Sequence, residues 1–435
     1  MKTAEYKFRL DPSLREAFFS ICKEQDVPAS QVMRSLMRDY INQQRTQSTV
    51  TYLNRPLIRN PYKFLEFFAG GGMARAGLGN EWRCMLANDI DRMKAKTYAN
   101  NWGKEHLLVK DVALLTTNDI PGQADLSWAS FPCQDLSLAG AGAGIRAKRS
   151  GTFWPFWQLM RGLVKEERGP KIIVLENVYG ALTSHKSKDF SAIGSAFSGV
   201  NYRFGAVIID AMRFLPQSRK RLFIIGVRSN VNIPDHLQTK KASSLWHPSA
   251  LTKAHANLSI EAAKKWVWWN LPQPQQRHIG FSDIIEDKPI SVKWHSKAET
   301  RKLLSMMSRI NLDKVKAAQK TGKRIVAGVY KRTRNGVQCA EVRIDDISGC
   351  LRTPSGGSSR QTILVIDGEN IRSRLLSSRE AARLMGLPDD YQLPGRYNDA
   401  YHLAGDGVAV PVVRFLSENI LLPILEAHHE ARNVA

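Results

Sequence analysis

Short apolar runs alternate with stretches of helical periodicity between residues 62 and 231. The runs typical of buried strands are "YKFLEFF", "CMLANDID", "LLVKDV", "ADLSWAS", "KIIVLENV", "YRFGAVIID" and "RLFIIGV". Strands separated by helices form mainly parallel sheets with helices on both faces, so this order predicts a doubly wound α/β domain. Residues 351–435 return to helix-rich sequence and are predicted to complete the same domain.

Residues 1–45 have a different pattern. Apolar and basic residues alternate in "EYKFRL", as in a half-buried strand, and two helical stretches follow. So few residues cannot bury a core alone. The order resembles the ribbon-helix-helix fold, in which two chains pair their strands and outward side chains enter the major groove of DNA. Here those side chains would be Lys7 and Arg9. The alternative is a helical appendage that docks on the main domain. Residues 46–61 are predicted to be a linker.

Residues 232–350 interrupt the strand–helix alternation and are predicted to form an inserted region. They contain the tryptophan-rich stretch "WVWWN", which predicts a small core. They also contain a basic stretch, Lys293–Arg334, with 13 Lys or Arg residues and two acids. The alternative interpretation of this charge is a solvated helical face.

The composition indicates a class of binding partner and a cellular compartment. The 435 residues include 63 Lys and Arg against 40 Asp and Glu, a net charge of +23, which indicates a polyanionic partner such as nucleic acid. The five cysteines form no CxxC pair, so neither a disulfide framework nor a zinc site is indicated. The sequence shows no secretory signal and no stretch near the roughly 18 apolar residues of a membrane helix, so we expect an intracellular protein.

A glycine-rich turn follows the first apolar run, in "FFAGGGMARAGLG". Glycine lets the backbone approach a ligand closely at the carboxyl edge of a sheet. Asp89 ends the next strand, where an acid can accept hydrogen bonds from ribose hydroxyls, and Asp111 closes the strand after it. The pattern predicts a nucleoside-cofactor site. The spacing of an ATP-hydrolysing phosphate loop is absent.

Cys133 lies in "FPCQDLSLAG", at the predicted end of a strand beside this site. A lone cysteine is more often structural than catalytic, but a thiolate at such an edge can be a nucleophile. The glycine-rich stretch after it carries Arg146 and Arg149, and is predicted to be a loop that closes on a phosphate backbone.

The motifs together resemble the DNA (cytosine-5) methyltransferases of bacteria and phages. In the family's order they are "FFAGGGMARAG", "NDID", "KDV", "FPCQDLSLAG", "LENV", "QSRKRLF", "LSSREAARLMGLPDDY" and "GDGVAVPV". The resemblance implies a Rossmann-like fold that binds S-adenosylmethionine. It also implies a smaller target-recognition domain at 232–350, a flipped cytosine in duplex DNA as substrate and no metal.

The resemblance also assigns residues. Cys133 would add to cytosine C6, and Glu176, with a raised pKa, would hydrogen-bond N3. The other predicted catalytic residues are Gln217, Arg219 and Arg221, and alternation along a strand predicts that both arginines face the pocket. The predicted cofactor-binding residues are Phe68, Ala69, Gly70, Gly72, Asp89, Ile90, Asp111, Val112, Pro132 and Asp406. The predicted DNA contacts are Lys7, Arg9, Gln134, Arg146 and Arg149.

The sequence departs from the family pattern at several positions. Met73 stands where another glycine is common, and Asp406–Gly407 stand where an Asn-Ser pair is common. Asp89 and Ile90 stand where the family often has Glu and an aromatic residue. Asp89 can still reach a ribose, whereas Ile90 would cover an adenine less well.

Two other functions fit the sequence. One is a tRNA cytosine-5 methyltransferase built on the same motifs. The other is a transcriptional repressor that uses residues 1–45 to dimerise and to bind its own promoter. For the leading hypothesis the expected partners are duplex DNA, a second copy of the chain and a restriction endonuclease that acts on the same site without stable binding. We expect no membrane association and a location in the cytoplasm.

Overall fold

The computed structural model describes residues 12–24, 29, 62–132, 152–334, 336–352 and 360–434. The chain divides into two compact units, Met1–Asn54 and Arg55–Ala435. In the first unit, helix α1 spans Pro12–Glu24, within the first predicted helix. The predicted N-terminal strand with Lys7 and Arg9 lies outside the described residues.

A seven-stranded sheet organises the second unit. Its strands are β1 (Tyr62–Phe67), β2 (Trp82–Asp89), β3 (Leu107–Val109), β4 (Leu126–Ala129), β5 (Ile172–Val178), β6 (Tyr202–Asp210) and β7 (Lys220–Arg228). Their order is β3-β2-β1-β4-β5-β7-β6, and only β7 runs antiparallel to its neighbours. Each strand corresponds to an apolar run in the sequence, and the doubly wound α/β fold is confirmed.

Both faces of this sheet are buried, which explains the continuous apolar runs. Along β5, Ile172 and Val174 join one apolar cluster, whereas Ile173 and Leu175 join the cluster on the opposite face. The helices that follow the strands are α2 (Met73–Leu78), α3 (Arg92–Trp102), α4 (Phe153–Lys165) and α5 (Lys188–Gly199).

The start of the predicted inserted region belongs to the main core. It forms α6 (Ser249–Ala256), α7 (Ile260–Lys264) and a two-stranded sheet of β8 (Gln238–Thr239) and β9 (Trp268–Trp269). Trp246 and Trp269 are buried in one of the two clusters that cover the sheet. The tryptophans therefore extend the main core, and the small core predicted for "WVWWN" is not separate.

A second, antiparallel sheet has its own apolar cluster. Helices α8 (Lys297–Ser305) and α9 (Arg309–Lys320) cover one of its faces, and its strands are β10 (Ile325–Arg334), β11 (Val337–Arg343), β12 (Thr362–Asp367) and β13 (Asn370–Leu375). The cluster includes residues from Leu303 to Ile366. The second sheet therefore includes two strands, β12 and β13, that follow residue 350 in the sequence. Pairing across the sheet, which sequence periodicity does not show, sets its extent.

The C-terminal helices close the main core. They are α10 (Ser378–Arg383), α11 (Tyr397–Asp406), α12 (Val410–Leu416) and α13 (Leu422–Val434). Contrary to the sequence expectation, residues 397–431 are long and apolar enough to cross a membrane, but 72% of their apolar window is buried inside the protein, as in a core helix. α12 lies so close to α2 that a side chain at Gly77 would meet Val413, which explains the glycine.

A buried ion pair joins the second sheet to the main core. Arg374 in β13 and Glu380 in α10 are both fully buried, and they form two hydrogen bonds of 2.7 and 2.5 Å. The main chain of Glu286 donates to Glu380 and accepts from Arg374. Such a pair is costly to break on one side, because the remaining charge has no partner.

Candidate active site

A cavity of about 860 Å³ lies at the carboxyl ends of β1, β2, β4 and β5, where antiparallel β7 begins. This is the edge at which open α/β sheets bind ligands. Nine of the residues that the sequence predicted line it, namely Phe68, Ala69, Gly70, Asp89, Ile90, Pro132, Glu176, Arg221 and Asp406. Cys133, Gln134, Arg146 and Arg149 lie outside the described residues.

Hydrogen bonds to Asp89 hold the glycine turn against the end of β2. The carboxylate of Asp89 accepts 2.8 Å hydrogen bonds from the main-chain N–H of Gly70 and of Asp91. Phe68 and Gly70 both have positive φ, 57° and 56°, so the chain turns sharply away from β1. Ile90 beside it is 64% exposed and presents an apolar surface to the cavity. The turn, the carboxylate and the apolar surface fit a nucleoside.

Glu66, which none of the sequence motifs indicated, lines the cavity near the end of β1. It is only 1% exposed, and the main-chain N–H of Arg75 donates to its carboxylate over 3.3 Å. Burial raises the pKa of Glu66 to about 8, although the charge of Arg75 lowers it. This acid is therefore mostly protonated at neutral pH, and a cationic ligand such as a sulfonium or an ammonium group would favour its ionised form. The sequence feature that could have indicated this residue is an acid inside the apolar run "FLEFF".

Glu176 and Arg221 form an ion pair at the other end of the cavity, with 3.2 Å between Oε1 and Nε. Burial raises the pKa of Glu176, whereas the charges of Arg221 and Arg219 and a hydrogen bond from Ser130 oppose that rise. The carboxyl group therefore holds a proton at a higher pH than an exposed glutamate does. Nearby, the Asn177 side chain donates to the carbonyl of Phe131 over 3.2 Å and fixes the chain before Pro132.

Arg219 and Gln217 do not line the cavity, contrary to the prediction for the "QSRKR" motif. The buried guanidinium of Arg219 donates to the carbonyls of Leu351, Gly405 and Gly407 over 3.1, 2.8 and 2.7 Å. Arg219 precedes β7, so the alternation of side chains along that strand does not extend to it. Gln217 donates to the carbonyl of Leu384 and accepts from the main chain of Leu351. Both residues hold segments that form the cavity wall.

Three predicted cofactor residues also lie away from the cavity lining. Asp111 accepts a 2.9 Å hydrogen bond from Ala113 at the start of a short helical turn, and Val112 is buried in the core. Gly72, with φ of 78°, precedes α2. The structure adds Lys94, which forms a 2.7 Å ion pair with Asp406 across the cavity. Sequence could not reveal this pair because the partners are 312 positions apart.

Two departures from the family pattern meet in space. A Cβ atom added to Gly407 would lie 2.1 Å from the Sδ of Met73, closer than any real contact. Met73 is buried, with 2% of its surface exposed. A side chain at position 407 would therefore force the end of Met73 to move, so the two departures are coupled.

We expect Gly407→Ser to lower the free energy of unfolding by about 1–3 kcal/mol, because Met73 must leave its buried position. Met73→Gly alone should also destabilise the protein, by leaving a void. The double variant should lose less than the sum of the two, and urea unfolding of the four proteins measures this. Gly395→Ser is the matched control, since open space surrounds Gly395. Strictly additive losses would contradict the compensation.

Comparison with known proteins identifies the two units. A C-5 cytosine-specific DNA methylase family model matches residues 62–422, and a ribbon-helix-helix protein model matches residues 1–54. The chain is 25% identical over 388 residues to the Type II methyltransferase M.HpaII of Haemophilus parainfluenzae, with 85% of this chain and 91% of that protein covered. It is 24% identical over 364 residues to M.HhaI of Haemophilus parahaemolyticus, with 82% and 94% covered.

Solved structures agree on the fold. The S. pombe Dnmt2 methyltransferase has a TM-score of 0.52 at 19% identity, and the Entamoeba histolytica methyltransferase EhMeth has 0.54 at 15% identity. Each comparison covers 84% of this chain and 99% of the other. The methyltransferase fold is confirmed. Because the family model spans most of the chain, this protein belongs to the C-5 cytosine-specific DNA methylases, which use S-adenosylmethionine to methylate cytosine in DNA.

Proposed function

We propose that this enzyme methylates a cytosine flipped out of a specific duplex sequence, through a covalent bond between Cys133 and cytosine C6. The observation that carries the proposal is the shared cavity. Pro132, the residue before Cys133, lines it together with the Glu176–Arg221 pair and the Asp89 turn. The residue before the proposed nucleophile, an acid and a candidate nucleoside site therefore lie at one sheet edge, which supports the proposal.

The residue types suit the chemistry. Cytosine C5 is a weak nucleophile, and addition of the Cys133 thiolate to C6 breaks the ring's aromaticity and moves electron density to C5 and N3. Glu176 donates its proton to N3 as this charge develops. Bound S-adenosylmethionine supplies an electrophilic methyl group. A base then removes the C5 proton, the C6–sulfur bond breaks, and N3 returns its proton to Glu176.

The position of the cavity supports the proposal that the base leaves the helix. C5 and C6 of a stacked base cannot reach a site recessed at a sheet edge, so the nucleotide must rotate out of the duplex. Arg221 is placed to hold the Glu176 carboxyl against the ring, since its Nε lies 3.2 Å from Oε1. The net charge of +23 supports binding to the phosphate backbone.

The biological setting follows from the relatives. M.HpaII and M.HhaI are Type II methyltransferases. We propose that this enzyme likewise modifies DNA in the cytoplasm, in a restriction-modification system or as an orphan enzyme. The partner endonuclease would act on the same sequence without forming a stable complex. A reducing cytoplasm keeps the Cys133 thiol available.

Genome-wide mapping of methylcytosine tests the substrate directly. The enzyme would be expressed in a host that lacks cytosine methylation, and duplex DNA and tRNA would be assayed in parallel. Methylation at one short DNA motif supports the proposal. Transfer to tRNA alone would favour the RNA-modifying alternative.

Cys133→Ala should abolish methyl transfer, with a loss beyond detection, and leave DNA binding within about twofold of wild type. The reason is that the thiolate forms the bond to C6, whereas phosphate contacts supply most of the affinity. Methyl transfer from labelled cofactor and fluorescence anisotropy measure the two. Cys22→Ala, at a buried cysteine of α1 in the N-terminal unit, is the control and should remain active. An active Cys133→Ala would refute the adduct.

The rate of methyl transfer should fall at high pH, because burial raises the pKa of Glu176 and the acid must carry a proton to donate it to N3. Below that pKa the carboxyl is protonated, and above it the proton is lost. Glu176→Gln should lower the single-turnover rate by about 10²–10⁴-fold and remove this part of the pH profile. Single-turnover rates from pH 6 to 9 measure the effect. An unchanged profile in Glu176→Gln would assign the titration to another group.

We also propose that the N-terminal unit dimerises and represses the enzyme's own promoter. The match of residues 1–54 to a ribbon-helix-helix model supports this, as does the division of the chain after Asn54. A reporter gene under that promoter should be repressed by the full chain and by Cys133→Ala. A variant lacking residues 1–54 should not repress it and should still methylate DNA. Equal repression by the truncated enzyme would contradict this role.

A further inference from the structure

The β10–β11 hairpin extends beyond the core of the second sheet. Burial along β10 changes from buried at Val326 and Val329 to exposed at Arg332 and Arg334. On β11, Val337 is 64% exposed at the turn end of the hairpin. Two strands therefore project from a well-packed base, and the projecting part is rich in arginine.

The two faces of this hairpin differ in their surroundings. One face carries Val329 and Ala340, which pack in the cluster beneath α8 and α9. Tyr330, Arg332 and Arg334 share the opposite face, because alternate residues of a strand point to the same side.

The face that carries Tyr330, Arg332 and Arg334, here called the arginine face, begins beside the active-site cavity. The hydroxyl of Tyr330 would lie 2.1 Å from a Cβ atom on Gly349, so the ring covers that glycine closely. The next residue, Cys350, lines the cavity. Arg332 and Arg334 continue outward from Tyr330 on the same side. At about 3.3 Å per residue they lie roughly 7 and 13 Å further along the strand.

Glu341 on the neighbouring strand binds both arginines. The Nε of Arg332 lies 3.4 Å from one carboxylate oxygen, and the Nη2 of Arg334 binds the other. The side chains are nevertheless 61% and 65% exposed. A shared carboxylate thus restricts two guanidinium groups that still face solvent, which lowers the entropy lost when they bind.

We propose that this hairpin enters the major groove next to the target cytosine and that Arg332 and Arg334 each recognise a guanine there. Glu341 is their positioning residue. The inference deepens the proposed function and rests on it. The major groove is wide enough for a two-stranded ribbon, and the guanidinium fork matches the O6 and N7 atoms of guanine. Successive base pairs are 3.4 Å apart, so the guanines lie within a few base pairs of the cytosine.

Other cations of the second sheet serve as a contrast. Lys316 and Lys320 are exposed on α9, which covers the opposite face of the sheet. They therefore lie away from the face that carries Arg332 and Arg334. Removing this pair changes the net charge as much as removing the two arginines, so Lys316→Ala/Lys320→Ala is a matched control.

The test compares kcat/KM on a set of duplexes that differ by one base pair around the methylated cytosine. Arg332→Ala and Arg334→Ala should each lower discrimination at one guanine position by about 5- to 150-fold and leave other positions unchanged. Glu341→Gln should weaken discrimination at both positions without changing the salt dependence of binding. The lysine control should leave discrimination unchanged at every position, because both lysines lie on the opposite face of the sheet.

The outcomes separate the two proposals. Suppose that the wild-type enzyme methylates a short DNA motif and the arginine variants keep full discrimination. The proposed role of the hairpin is then wrong, whereas the proposed function stands. The same holds if the arginine variants weaken all sequences uniformly, since that pattern indicates phosphate contacts. Wild-type enzyme that methylates no DNA would remove the proposed function itself. Urea unfolding midpoints equal to wild type confirm that each exposed substitution leaves the fold intact.

Discussion

The guanidinium of Arg219 holds together segments that sequence keeps far apart. It is buried and binds carbonyls at Leu351, Gly405 and Gly407, so one side chain fixes the segment between β11 and β12 against the end of α11. Burial lowers the pKa of this arginine to about 10, yet the group remains charged at neutral pH. Three carbonyl acceptors offset the cost of removing that charge from water. Together with the hydrogen bond from Leu351 to Gln217 and the Lys94–Asp406 pair, this contact fixes Leu351 and Asp406 in the cavity wall.

Burial raises the pKa values of two acids that line the cavity, whereas nearby arginines lower them. Glu66 and Glu176 are both almost inaccessible to solvent, and desolvation raises the pKa of each. Arg75 opposes the rise at Glu66, as Arg221 does at Glu176, but desolvation remains the larger effect. Two carboxyl groups of raised pKa thus lie at one cavity. The acid beside Pro132 is suited to proton transfer and the acid beside the glycine turn to a cationic ligand.

Sequence reasoning succeeded where local pattern and chemistry coincide. Apolar runs located every strand of the main sheet, and strand-end residues such as Asp89 and Glu176 located the cavity. It failed where a contact joins distant positions, as for the Arg219 carbonyl contacts and the Lys94–Asp406 pair. The extent of the second sheet was missed for the same reason, since β10 pairs with β12 across a gap in the motif pattern. Glu66 was visible as an acid in an apolar run, but its burial depends on α2.

The packing of α12 on α2 has a consequence for synthesis of the chain. The glycine turn leaves the ribosome early, whereas Gly405–Val408, which form part of the cavity wall, and Val413, which packs on Gly77, emerge more than three hundred residues later. A nascent chain therefore has strands and a glycine turn but no complete cofactor cavity. Catalytic competence arises only when nearly the whole polypeptide has been translated, so prematurely terminated products cannot modify the genome.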